Sequence, residues 1–152
     1  MQSRPDMLDM PVGVPENPEE EAEMNSIILV AVCLMAEAGN QGPVGRRLVA
    51  DVIWNRNELR RLPASEIVRQ PHQFESIWGK SDQDLADKAM FYAAHAPKIW
   101  KECLRTAGAL VNRTYVPTTA HTHFYNPKLC NPTWASSLKD VQKYKDHVFG
   151  RM

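Results

Sequence analysis

The sequence predicts one mainly helical α+β domain with a small, irregular β-sheet. Three observations point there. Between Ser26 and Val111 apolar residues recur at helical spacing, interrupted by glycine and proline where helices should stop or start. After Arg113 that period ends, and Tyr115 to Tyr125 is rich in threonine, histidine and aromatics, which suits short strands. The length of 152 residues with 43% hydrophobic content fits a single core and is too short for two ordinary domains.

The elements follow in order. Residues 1–24 hold four of the eleven prolines and almost no aromatic or β-branched residues, so they read as a disordered acidic leader ahead of a globular domain over 25–152. Asn25 or Ser26 can cap a buried helix that runs to Ala38 and stops at Gly39, Asn40 and Gly42. Pro43 to Leu59 fits a second helix, with Val44, Leu48, Val49, Val52 and Ile53 on one face. Ser65 to Arg69 is a short helical turn closed by Pro71. Asp82 then caps a long helix carrying Leu85, Ala89, Met90 and Ala93, and Pro97 opens another to Val111. Asn126-Pro127 and Asn131-Pro132 mark an irregular loop. Lys143 to Met152 can return as an edge strand through His147, Val148 and Phe149.

The formal net charge of zero conceals a division. The first 25 residues carry seven acids against Arg4, a net −6, and the remaining 127 carry +6. A basic domain suits an anionic polymer, but no basic cluster interleaved with aromatics supports nucleic acid. The apolar run Ile27 to Ala36 is too short to span a bilayer, and it follows an acidic stretch where a signal peptide has a short basic one. The chain therefore reads as made in the cytoplasm. Cys33, Cys103 and Cys130 lack metal-ligand spacing and read as free thiols. His121-x-His123 could face a metal, yet no HExxH or carboxylate cluster completes a ligand set, so no metal or other cofactor is expected.

Glu37 does not fit a purely structural helix, because it closes an apolar run. One reading has it pointing into solvent at a frayed helix end. The other has it partly desolvated, with a raised pKa, as a general acid requires.

The spacing around Glu37 carries a resemblance. Ala36-Glu37-Ala38, then Gly45, then a helix ending in Val52-Ile53-Trp54-Asn55-Arg56, resembles the opening of the SleB-like cell-wall hydrolases, the spore cortex-lytic enzyme group. Gln73-Phe74 is similar to the family's Gln-Phe motif, Thr122-His123-Phe124-Tyr125-Asn126-Pro127 to its histidine-aromatic-Asn-Pro segment, and His147-Val148-Phe149 to its closing His-x-Phe. Gly39-Asn40, Glu75 and Trp54 depart from the family's usual residues.

The resemblance implies a lysozyme-like fold and cleavage of the β-1,4 bond between N-acetylmuramic acid and N-acetylglucosamine in peptidoglycan. It favours the lytic transglycosylase route, with a muramidase-type glycoside hydrolase as the alternative. Glu37 would be the acid. With no obvious second carboxylate (Glu58, Glu66 and Glu75 being the other candidates), the substrate's own acetamido group and 6-hydroxyl can complete the chemistry. Gln73, Tyr125, Asn126 and Trp134 are candidate sugar-binding residues, since rings cover the apolar faces of sugars and amides bond their polar groups. His123 could position Glu37 or a sugar hydroxyl, and Asn55 could orient its neighbours from the helix end.

A small domain of this kind without an export signal or wall-binding repeats suggests a bacteriophage product. It could be an endolysin acting at the bacterial wall, or a virion-associated lysin whose leader docks onto other virion proteins. The alternative is a virion structural or interaction protein that keeps the lysozyme-like shape without activity.

Overall fold

The computed structural model describes residues 15–71 and 73–152. Among them are five α-helices, α1 (Pro18–Ala38), α2 (Gly42–Arg60), α3 (Ala64–Arg69), α4 (Asp82–His95) and α5 (Pro97–Val111), followed by strands β1 (His123–Tyr125), β2 (Lys139–Tyr144) and β3 (His147–Arg151). The mainly helical α+β class is therefore observed.

The first helix starts at Pro18 and not at Asn25 or Ser26. The physical reason is local. The Asn17 side chain accepts a hydrogen bond from the Glu20 N–H at 2.9 Å, Pro18 occupies the first turn, and Glu19, Glu20 and Glu21 face the positive end of the helix dipole. Acids that suggested disorder favour a helix start when they sit together behind a cap. Of the disordered leader expected over residues 1–24, residues 18–24 are therefore helical, and residues 1–14 lie outside the described residues.

From Ile27 to Leu34 α1 is apolar nearly all round, which only a helix enclosed by others can satisfy. It packs against α2, α3, α4 and α5. Ile27, Val30, Ala31 and Cys33 are fully buried, each large aliphatic among them contributing about 2 kcal/mol. Burial pushes the Cys33 thiol well above its ordinary pKa and the Cys103 thiol up to about 12, so both are inert; all three cysteines are free.

Helix α2 opens at Gly42, whose φ of 77° suits glycine. A Cβ at Gly45 would lie 2.5 Å from the Gln41 Cβ, so glycine is what lets Gln41 fold over the first turn of this helix, whereas the Tyr144 ring would be in ordinary contact at 3.4 Å. Leu48, Val49, Val52 and Ile53 are buried as expected, but Val44 is 49% exposed because the first turn overhangs the core. Helix α4 is capped by Ser81 and not Asp82: Ser81 and Asp84 exchange side-chain and backbone hydrogen bonds in a capping box. Of its expected apolar face only Leu85 is buried, while Met90 is 72% exposed, because α4 lies outside α1 and α5 and covers only a narrow stripe.

The sheet is antiparallel in the order β1-β3-β2. The last strand is thus central and not an edge. His147 and Phe149 face inward from β3, and Phe124 of β1 pairs with Phe149 in register, ring centroids 5.6 Å apart. The edges are β1 and β2, of which β2 is largely exposed and bears Lys139 and Lys143, charges that discourage further strand pairing. Of the stretch Tyr115 to Tyr125 only its end forms a strand. No helix among the described residues is long and apolar enough to cross a membrane.

Candidate active site

Glu37 sits in the last turn of α1, half-buried. The Ser76 hydroxyl donates to its Oε2 at 2.7 Å. Ser76 belongs to a tight turn anchored by two buried side chains, Phe74 and Ile77, and closed by the N–H groups of Ile77 and Trp78 on the Phe74 carbonyl at 3.0 and 2.8 Å. The aromatic of the Gln-Phe pair therefore acts as a peg that brings a hydroxyl to the glutamate. Burial raises the Glu37 pKa; the Ser76 hydroxyl and N–H restrain the rise, and the nearby charge of Glu75 adds to it. None of these influences is a cation. From α4, the Tyr92 phenol is itself raised by burial and then by Glu37.

The same peg faces the other motifs. The Arg56 guanidinium lies 5.6 Å from the centroid of the Phe74 ring, and Phe124 packs on Phe74 at 6.1 Å. Arg56 is buried, donates from Nε to the Thr122 carbonyl at 2.7 Å, and leaves Nη1 without a partner. Burial first, then the neighbouring Arg60, lower its pKa to about 10. Thr122 leads into His123, whose Nδ1 shares a 2.8 Å hydrogen bond with the Thr122 Oγ1. His123 meets the Trp134 ring edge-on at 4.9 Å, and Tyr125 meets Trp134 at 5.6 Å and 89°. Burial, then Arg56 and Arg60, lower the His123 pKa, which favours the neutral imidazole.

Helix α2 holds this rim in place by polar contacts. Asn55 Nδ2 donates to the carbonyls of Thr119 and His121 at 2.9 and 2.8 Å. One turn earlier, fully buried Asp51 accepts from the Tyr115 hydroxyl at 2.6 Å, from the Thr118 N–H and hydroxyl, and from the Thr119 hydroxyl at 2.9 Å. The segment before β1 is thereby fastened to α2 although it has no ladder of its own.

Of the sequence-predicted residues, His123, Tyr125 and Trp134 are brought into one aromatic cluster. Gln73 is exposed at the turn leading to Phe74. Asn126 follows Tyr125, and its side chain accepts from the Lys128 N–H at 3.0 Å, so part of its capacity serves the loop. Among the described residues, hydrogen bonding and ring packing connect Glu37 to this cluster through the Ser76–Phe74 turn, and His123 is paired with Thr122 and not with Glu37. His121 and His147 flank the Phe149 ring, and among the described residues no three His, Cys, Asp or Glu side chains cluster as a metal site. Sequence reasoning missed Ser76 and Asp51. Ser76 lies in the motif turn next to Glu75. Asp51 is a lone carboxylate in an apolar stretch, the same signal that marked Glu37.

Comparison with known proteins bears on the fold and the family. The catalytic domain of the germination-specific lytic transglycosylase SleB from Bacillus anthracis has a similar fold, with TM-score 0.58 and 20% sequence identity over 92% of this chain and 100% of that domain. No curated protein matches. The sequence model of the cell wall hydrolases matches residues 40–150, a span that begins just after Glu37 and takes in the Asn55-Arg56, Gln73-Phe74, His123-to-Pro127 and His147-to-Phe149 motifs. With most of its length matched in this way, the chain belongs to the cell wall hydrolase family.

Proposed function

We propose that the protein cleaves the β-1,4 bond between N-acetylmuramic acid and N-acetylglucosamine in peptidoglycan as a lytic transglycosylase, with Glu37 as general acid and then general base. The observation that carries this reading is Glu37 itself: a half-buried carboxyl at a helix end, its pKa raised by burial, held through one oxygen by Ser76. The family supports action on the cell wall, and the SleB domain, named a lytic transglycosylase, supports the route.

In the mechanism we infer, protonated Glu37 donates its proton to the glycosidic oxygen as the bond to the muramic acid C1 breaks. Positive charge develops at C1, and the substrate's own acetamido oxygen stabilises it. The 6-hydroxyl of the same sugar then attacks C1 and loses its proton to the Glu37 carboxylate, restoring the acid. The products are a free 4-hydroxyl on one fragment and a 1,6-anhydromuramic end on the other. Ser76 fixes the carboxyl by one oxygen and leaves the other for proton transfer. Tyr125 and Trp134 offer ring faces and edges to sugars, with Gln73, Asn126 and His123 as polar partners. We attach this chemistry to bacteriophage lysis or wall penetration, which recovery of the protein in purified virions, or only in lysing cells, would distinguish.

Digestion of purified peptidoglycan by the wild type and by Glu37→Gln, with mass spectrometry of the soluble products, tests the reading. Anhydromuropeptides from the wild type and their loss in the variant are expected. Reducing-end products would replace the transglycosylase by a hydrolase with a second group, and no release would favour a non-catalytic virion protein.

A further inference from the structure

Two arginines lie one helical turn apart on α2, and among the described residues no carboxylate forms an ion pair with either. Arg56 is 6% exposed, with its Nη1 buried and unpartnered. Arg60 is exposed and donates to the neutral side-chain oxygen of Gln70; among the described residues it enters no ion pair. The nearby acid Glu58 is taken by Arg113. Like charges at this spacing on one helix face repel, and a buried guanidinium with an idle donor is costly. Arg56 is bonded to the residue before His123, so the pair is fixed beside the aromatic cluster. Arg60, tethered to Gln70, stands on the side from which Gln73 and Phe74 enter. A cation held in position by a neutral acceptor keeps its charge available for an outside anion.

We propose that Arg60, backed by the buried charge of Arg56, forms a carboxylate subsite beside His123 that receives an acidic branch of the glycan substrate. The subsite rests on the proposed function, since it presumes a strand carrying muramic acid. Its carboxylate can come from a peptide stem or from the lactyl group of a muramic acid that has lost its stem. Arg56 contributes field and not contact, because its unpartnered nitrogen is enclosed. The exposed guanidinium of Arg60 supplies the hydrogen bonds.

The test measures binding by the full chain, with Glu37→Gln present throughout to prevent turnover. Three ligands are compared: peptide-bearing strands, strands stripped by an amidase and so carrying free lactyl carboxylates, and neutral N-acetylglucosamine oligomers. Adding Arg60→Gln should lower the ratio of carboxylate-bearing to neutral affinity about tenfold, with Arg60→Lys, which keeps the charge but not the planar donor fork, restoring part of it. A fall confined to peptide-bearing strands assigns the stem, and one that includes stripped strands assigns the lactyl group. An unchanged ratio, or equal loss on all three ligands, overturns the subsite. Product formation by the wild type is read separately. If it is absent, the proposed function fails while the binding ratio still decides the subsite; if it is present with an unchanged ratio, only the subsite fails.

Discussion

Two carboxylates interrupt the apolar helices of this domain, and they have opposite surroundings. Asp51 is fully buried, and four donor groups from Tyr115, Thr118 and Thr119 converge on its two oxygens. Glu37 is half-buried, and the donors acting on it come from a single residue, Ser76. A saturated carboxylate is a fastening with no capacity left for a substrate. One that is desolvated and only partly bonded is raised in pKa and ready to exchange a proton. The lesson is that isolation in an apolar run marks a carboxylate as significant, while the count of donors around it separates structure from chemistry.

The largest expected effect separates the two directly. Glu37→Gln keeps the side-chain volume and removes the acid, so the rate on peptidoglycan should fall by at least about 10²-fold while the thermal midpoint does not fall. Asp51→Ala should do the reverse, lowering stability by about 3 kcal/mol in urea denaturation because several buried donors lose their acceptor. If the Asp51 variant were as stable as wild type, the fastening role would fail.

Ser76→Ala sharpens the comparison from the other side. Losing the hydroxyl loosens the carboxyl and removes one restraint on its pKa. We expect about a tenfold drop in kcat. Since the proposed mechanism needs protonated Glu37, the alkaline limb of the pH–rate profile should move to higher pH. A drop in rate with an unmoved limb would mean that Ser76 only packs.

The smallest effect is on stability against pH. A carboxyl raised in the folded state binds its proton more tightly there than in the unfolded chain. Stability therefore declines as pH rises from about 4.5, the ordinary glutamate value, up to the raised folded value, and is level beyond it. Glu37→Gln lacks this decline, so its stability relative to wild type should grow across that window. Urea titrations at a series of pH values would detect it, and parallel curves would mean that Glu37 is not desolvated.

Much of the fold was legible because helices are specified locally. Pro97, Gly42, the apolar period of α5 and the run Ile27 to Leu34 set their elements within the residues concerned. The start of α1 is not legible from composition, because the acids after Asn17 act as charges at a helix terminus. Strand β3 was recognisable from His147 and Phe149, but its central position was not: β2 is polar on both faces, and the Lys145-Asp146 turn lacks an Asn-Gly signature. In the site, Glu37, His123, Tyr125 and Trp134 could be named from motifs. Ser76 could not, because its hydrogen bond to Glu37 links residues 39 positions apart through the packing of Phe74.

The sequence by itself determined the helical order, the family spacing of the motifs and the identity of the lone acid, since each depends on short-range pattern and residue chemistry. Only the tertiary structure decided that Asp51 is saturated while Glu37 is not, that the final strand is enclosed, and that Arg56 is bonded to the residue before His123. These outcomes depend on burial and on donors converging from distant segments, and neither quantity exists until the chain has packed.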